Sequence, residues 1–486
     1  MKNLNDFILN FRGIFLLLFV MFISYTVANI FLSMELNDFL KKFLIIVICI
    51  LFLKVAASTS MENLVILLIL MLPFPIFINI GSKDVGTTNT LAIYLVFIIY
   101  VVRKIIRKEP IFSDRPLFYM VLFLIVAYVV SFANTPWFAR ESALRRFSVF
   151  ISCIIIFYLV INNVKTKKTI VRIIDAMSVA SFLEAIVVIY QLLFPTKSSF
   201  LQIFGTKVID LDQRYSALEN LRIAGTFGFD YEIVSEFFAI NILIHFFIIQ
   251  KLKKSFKRKL YIMNLAFLVV AMISTGTRGG IIALFAVIML VSFFAKKNLK
   301  ITKNFILIFT LGTLFFGTIF FFSENIPYLK NLYERFTKTE FQGIVPDTRI
   351  VVWKVVLPII MENPWIGHGP QAIGDAKLVR YANPHSMYLY YLFNIGIIGT
   401  VGVLCFFGAV FWRGYATIKR HCDNEIVFLT IVLIGAFMVF VVDEYKISYQ
   451  RHSNMQQFVW IIFALIVSLS RVAGSGNGDD SKIFKS

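Results

Sequence analysis

Apolar runs long enough to cross a membrane recur from one end of the chain to the other. They lie near residues 13–33, 43–60, 61–80, 89–102, 117–133, 146–163, 173–194, 232–250, 260–276, 279–295, 304–322, 386–412, 426–442 and 456–470. A bilayer core takes about 20 apolar residues per helix, and lipid tolerates no unpaired backbone group, so each run reads as a helix. Composition agrees: 59% of the 486 residues are hydrophobic and 16% are charged, too few polar groups to cover a water-soluble particle. The expected fold is an all-α polytopic integral membrane protein with about 12–14 transmembrane helices. The pairs 43–60/61–80 and 260–276/279–295 have almost no loop between them, and either can be a re-entrant hairpin. The first run follows Lys2 and Arg12 as a signal peptide would, but it is long and lacks a small-residue cleavage site, so it reads as an uncleaved span.

A formal charge of +20 would suit a nucleic-acid partner if it were gathered on a soluble face. Instead the Lys and Arg residues collect in alternate short loops: five between 103 and 115, four in 165–172, six in 251–259, four in 296–303 and three in 413–420. Short basic loops stay on the cytoplasmic side, whereas long loops cross largely regardless of charge. Both termini are therefore expected in the cytoplasm of a multi-pass cell-membrane protein. The basic excess reads as a topology signal, with anionic lipid headgroups as its partner and no nucleic acid.

Cys49, Cys153, Cys405 and Cys422 fall in spans or at a cytoplasmic end, where they read as small buried residues and not as a disulfide framework or metal site. Ionisable residues inside spans mark transport pathways because they are costly in lipid. Only Glu184 and His245 stand out, each equally readable as a helix-packing polar group. No matched pair of Gly/Pro-broken spans marks an inverted repeat. A polysaccharide or lipid-linked glycan transporter is thus the weaker alternative from another class.

Polar sequence concentrates on the expected outer face, in a loop at about 195–231 and a longer one at 323–385. Loops of this length usually carry function, and the second is rich in Trp, Tyr, Ile and Val. Within it, Thr348–Glu362 spaces its apolar residues at helical intervals behind Asp347, a suitable N-cap, and Pro358 is expected to kink the helix. The helix is expected to lie on or dip into the outer interface.

Three constellations mark this face. Arg222-Ile-Ala-Gly225-Thr-Phe-Gly228 precedes a span, and Ser274-Thr-Gly-Thr-Arg278-Gly-Gly280 separates two spans. The third is Gly367-His368-Gly369-Pro370, followed by Asn383-Pro384-His385-Ser386 and Asn394-Ile-Gly396-Ile-Ile-Gly399. An arginine beside glycines at a membrane boundary suits an anionic ligand, since its planar fork holds phosphate oxygens and glycine admits the ligand to the backbone. Snorkelling to headgroups or pairing with a carboxylate accounts for Arg278 and Arg222 as well. His368, His385 and His452 are expected to face outward. An imidazole there can act as a base near neutral pH, and His385 is singled out because it opens a span directly after a proline. Asp210-Leu-Asp212 has the spacing of a carboxylate pair for a divalent cation, a pattern chance also supplies.

Taken in order, these segments resemble the O-antigen ligase and O-antigen polymerase superfamily of bacterial membrane glycosyltransferases. Arg222–Gly228 looks like its Arg-x-x-Gly-Thr-Phe-Gly segment, and Thr275–Gly280 like its Ser-x-Ser-Arg-Gly turn. Arg349–Trp353, Pro364–Pro370 and Pro384–Gly399 look like its Arg-x-x-x-Trp, Pro-x-x-Gly-x-Gly-Pro and His-Asn…Gly-x-x-Gly series. Ser386 stands where the family often has Asn, and Phe229-Asp230-Tyr231 replaces an Asn-Pro-Asn-like stretch. The resemblance divides the chain into N-terminal transmembrane helices (1–200), a ligase/polymerase-like core (201–412) and C-terminal helices with a tail (413–486).

The resemblance implies transfer of a glycan from an undecaprenyl-pyrophosphate-linked oligosaccharide to an acceptor hydroxyl on the outer face, with no cofactor and no metal. Arg222 and Arg278 would bind the pyrophosphate, Arg349 would orient donor or acceptor, and His385 would take the proton from the attacking hydroxyl. A polymerase of O-antigen, capsule, exopolysaccharide or teichuronic acid is favoured over a ligase that uses a lipid A core. A chain-length regulator and a flippase of the same pathway would be its partners.

Overall fold

The computed structural model describes residues 58–80, 83–194, 223–228, 230–294, 348–370, 384–420 and 423–474. The expected spans 13–33 and 304–322, nearly all of 43–60, and Cys49 and Cys422 lie outside these residues.

Helix α1 (Met61–Met71) starts where the Ser60 side chain accepts the Asn63 N–H. The sequence suggests a span over 61–80, but the helix is only 11 residues long. Pro73 and Pro75 follow at once, and proline removes the donor a helix needs. The chain then forms a hairpin, β1 (Phe77–Ile80) antiparallel to β2 (Lys83–Thr87), the only sheet among the described residues. Thr87 caps α2 (Thr88–Ile106) by accepting from Thr90 N. Next come α3 (Phe118–Ser131), α4 (Arg140–Asn163), α5 (Lys167–Leu193), α6 (Tyr231–Lys251), α7 (Phe256–Ser274) and α8 (Arg278–Phe294). Helix α9 (Thr348–Glu362) has the predicted bounds and is a single helix containing Pro358. It is followed by α10 (Met387–Arg420), α11 (Asn424–Asp443) and α12 (Ser453–Gly474).

Among the described residues, seven helical stretches are long and apolar enough to cross a membrane: α2, Trp137–Asn163 around α4, α5, α6, α10, α11 and α12. The protein is an all-α polytopic membrane protein, with shorter apolar helices at α1, α3 and α8.

The core sits around α6 and α12, which are the two most buried of the long helices. Helix α6 packs against α7, α8 and α11, so the pair 260–276/279–295 straddles it; α12 packs against α4, α10 and α11. Aromatic rings fill the space between them, with Phe406 stacked on Trp460 at 5.1 Å and Phe437 edge-on to Phe463 at 5.1 Å. By contrast α2 and α3 expose Ile98, Val102, Tyr119 and Val126 outward, as a lipid-facing flank does.

The two ends of the bundle differ in charge. At one end Lys167 meets Glu425 at 2.8 Å, Arg172 meets Glu62 at 3.6 Å, Lys257 meets Asp175 at 2.8 Å, and Arg471 pairs with Asp114. These contacts join the starts of α1, α5, α7 and α11 to one another and the end of α12 to the segment before α3. That is the alternation the basic loops require. The opposite end carries the starts of α2, α4, α6, α8, α10 and α12, and with them the motif residues.

Candidate active site

Arg278 is the first residue of α8. The turn Thr275-Gly276-Thr277 reverses the chain there, and Gly276 adopts φ +63°, a left-handed value glycine takes without strain. Thr277 Oγ1 lies 3.4 Å from the Tyr231 carbonyl, which ties the turn to the start of α6. The next two glycines permit close packing. A Cβ at Gly279 would lie 2.9 Å from Asp443 Oδ1, and one at Gly280 would lie 2.6 Å from Ser235 Oγ. The Arg-Gly-Gly run therefore wedges the start of α8 between the first turns of α6 and the last residue of α11, with Arg278 half-buried.

His385 is built differently. Its φ of +44° is unusual for a residue with a side chain, and contacts on both sides hold it. Trp353 of α9 donates its indole N–H to the Pro384 carbonyl at 2.6 Å, and Met387 N donates to the Glu444 carbonyl at 3.1 Å. Trp353 also packs edge-on against Tyr445 at 5.7 Å. The Arg-x-x-x-Trp segment thus acts in part through its tryptophan, which anchors the loop bearing the histidine. Arg349 stands one turn ahead of Trp353 in α9. The His385 side chain is 34% exposed, and its Nδ1 lies 3.5 Å from Oε2 of Glu232, the second residue of α6. The turn before Arg278 and the loop bearing His385 therefore reach the same first turn of α6, one through Thr277 on Tyr231 and the other through His385 on Glu232.

The Gly225–Gly228 segment forms a tight turn with φ +55° at Gly225 and +67° at Gly228. Glu184 of α5 accepts from Thr226 N at 2.9 Å and from Thr226 Oγ1 at 2.6 Å, and Gln191 accepts from Gly225 N at 2.9 Å. A Cβ at Gly225 would overlap Glu184 Oε1 at 2.2 Å, so this glycine leaves room for the carboxylate. Glu184 accordingly anchors this turn. His245 is likewise enclosed: Ser178 Oγ lies at 2.6 Å, Asn264 Nδ2 at 2.8 Å and the Asn241 carbonyl at 2.6 Å. Arg222, three residues before the anchored turn, and the pair Asp210 and Asp212 lie outside the described residues.

The glycines of the third constellation interlock two segments. Gly396 breaks α10 with φ +64° and ψ −171°, and the Pro364–Pro370 loop docks into the break. His368 N donates to Phe393 O at 2.7 Å and Gly369 N to Asn394 O at 3.0 Å; in return Ile397 N donates to Pro364 O at 2.7 Å and Ile398 N to Trp365 O at 3.3 Å. Backbone groups that the helix break would leave unpaired find partners in the loop. His368 is part of this packing. Its ring stacks on Phe393 at 4.8 Å, and Nε2 lies 2.7 Å from the Ile359 carbonyl.

Several residues at this end carried no sequence motif. Asp230 Oδ2 lies 3.5 Å from His452 Nε2, whose other ring nitrogen is 2.9 Å from Asn454 Oδ1 and whose ring packs on Phe227 at 5.4 Å. Glu236, one turn beyond Glu232, is fully buried beside Asp443 and Glu444. Two adjacent carboxylates closing the apolar span 426–442 were the available signal, because such groups are rarely kept at a span without a use. Among the described residues, no three His, Cys, Asp or Glu side chains are arranged to hold a metal ion.

None of the curated proteins compared matches the chain. Residues 263–404 match the family model described as O-antigen ligase, a stretch that runs from α7 past the break in α10 and contains Arg278, Arg349, Trp353 and His385. This stretch of the chain is similar to the O-antigen ligase family.

Proposed function

We propose that the chain transfers a glycan from an undecaprenyl-pyrophosphate-linked donor to a sugar hydroxyl on the outer face of the cell membrane, and that it polymerises the repeat units of a cell-surface polysaccharide. The observation that carries this reading is that the turn leading into Arg278 and the loop bearing His385 both reach the first turn of α6, through Thr277 on Tyr231 and His385 on Glu232. The basic end of the bundle lies in the cytoplasm by the positive-inside rule, which puts this site outside. A reporter fused near residue 255 is then cytoplasmic and one near residue 340 external; both on one side would refute the orientation.

In this mechanism Arg278, with Arg222 and Arg349, holds the pyrophosphate and offsets the charge that grows as it leaves. His385 accepts the proton of the acceptor hydroxyl as its oxygen attacks the anomeric carbon. The exposed apolar flanks of the bundle let a polyprenyl chain stay in lipid while its headgroup enters the site. The description of the matched family favours a second reading, ligation of a finished glycan to another acceptor. Deleting the gene separates the two. A missing polymerase leaves lipid-linked single repeat units, whereas a missing ligase leaves lipid-linked chains of normal length. Unchanged lipid-linked glycans would reject both.

A further inference from the structure

An arginine at the very end of a span reaches back to headgroups, but Arg146 stands inside one. Trp137 and Phe138, exposed just ahead of α4, sit where aromatic residues mark the membrane surface. Arg146 follows Arg140, the first residue of α4, by a rise of about 9 Å. A charge at that depth is costly in lipid and is kept where a pathway needs it. The side chain is half-buried and turned into the bundle: its guanidinium lies 5.8 Å from the centre of the Tyr390 ring in α10 and within electrostatic reach of Tyr128 in α3. Among the described residues it forms no ion pair with a carboxylate.

Tyr390 is one turn into α10, where its N–H donates to the Ser386 carbonyl at 3.0 Å, so Arg146 is brought beside the loop that carries His385. The start of α4 is tied to the same region, because Asn134 just ahead of it donates to Asn363 Oδ1 at 3.2 Å and to the Gly367 carbonyl at 2.8 Å. Arg278 comes from another part of the bundle. It heads α8, which packs on α6 and α11, whereas α4 packs on α2 and α12. In a direct displacement the attacking and leaving oxygens lie on opposite sides of the anomeric carbon, so acceptor and leaving group need separate holds.

We propose that Arg146 binds the pyrophosphate of the acceptor, the second polyprenyl-linked glycan that a polymerase requires, while Arg278 holds that of the donor. This rests on the polymerase reading and on Arg278 as a donor contact. The planar fork of Arg146 suits phosphate oxygens. Val126, Val129 and Leu144, exposed on α3 and α4, offer the acceptor's polyprenyl chain a path in lipid.

The test uses full-length protein in nanodiscs, with lipid-linked repeat units extracted from cells of the producing strain that lack the gene. They are supplied alone, or with an excess of the same unit freed from its pyrophosphate by mild acid. Extension of freed units involves the donor's pyrophosphate alone. Arg146→Gln should therefore raise the KM for growth of the lipid-linked ladder about 10-fold or more and change the yield of extended free units by less than about twofold. Arg146→Lys should recover part of the loss, and Arg278→Ala should lower both products. Calorimetric titration with undecaprenyl pyrophosphate should give two sites in the parent and one in either Arg146→Gln or Arg278→Ala, which decides the matter if freed units are not accepted. Arg146→Met, which keeps the aliphatic stem, takes the place of Arg146→Gln if that variant does not fold. An equal fall of both products in Arg146→Gln at unchanged melting temperature, an undiminished ladder, or a site count that does not change overturns the proposal and leaves polymerisation standing. A parent that extends no lipid-linked unit overturns the polymerase reading and this proposal with it.

Discussion

Replacing Gly396 by alanine tests the interlock between the Pro364–Pro370 loop and the break in α10. The added Cβ would fall 2.3 Å from both C and O of Trp365 and 2.5 Å from Ile366 N, all backbone atoms with no side-chain freedom to yield. Backbone at φ +64° and ψ −171° is essentially confined to glycine, and holding alanine there costs about 1–3 kcal/mol. If the loop withdraws instead, the four backbone hydrogen bonds between the segments are lost, at about 0.5–1.5 kcal/mol each. Either route costs a few kcal/mol at least, enough to lower the thermal midpoint by on the order of 5 °C. Gly408 in the same helix is the control, because a Cβ there meets nothing within 4 Å. There alanine should be neutral or stabilising by up to about 1 kcal/mol. Unfolding of both variants is followed by intrinsic fluorescence in detergent. A Gly396→Ala midpoint indistinguishable from the parent, or a Gly408→Ala that falls just as far, would refute the argument.

The histidines and Arg278 separate chemistry from packing. His385→Ala should keep its melting temperature while polymer formation falls about 10²-fold or more. His368→Ala leaves the Ile359 carbonyl unsatisfied and Phe393 without its stacking partner, so it should lose about 1–3 kcal/mol of stability; an active, stable His368→Ala would contradict its packing role. Arg278→Lys keeps the charge and loses the planar fork, so chain growth should be clearly impaired, and more so in Arg278→Ala. Parent-level activity of Arg278→Lys would remove Arg278 from pyrophosphate binding, and activity lost in EDTA and restored by a divalent cation would shift attention to Asp210 and Asp212.

Legibility followed the range of each signal. Helix α9 could be read to its end residues because its pattern is local: an N-cap residue, helical spacing and a following loop. The span over 61–80 was misjudged because the apolar run continues past Pro73 and Pro75, and hydropathy weighs residues without regard to the donor that proline lacks. Arg278 and His385 could be singled out from glycine and proline neighbours, which mark special backbone. The approach of Glu232 could not, since it meets a histidine 153 positions later in the chain. The same holds for Trp353 on Pro384. Glu184 was visible as an ionisable residue within a span, but only the fold shows that it holds Thr226.

The most direct test of glycan transfer is reconstitution. Purified protein in nanodiscs is given lipid-linked single repeat units and no other acceptor, and products are resolved on a gel. A polymerase with His385 as its base gives a ladder of longer lipid-linked chains that His385→Ala abolishes. A parent protein that leaves the single units unextended, or extends them as well with His385→Ala as without it, would contradict it.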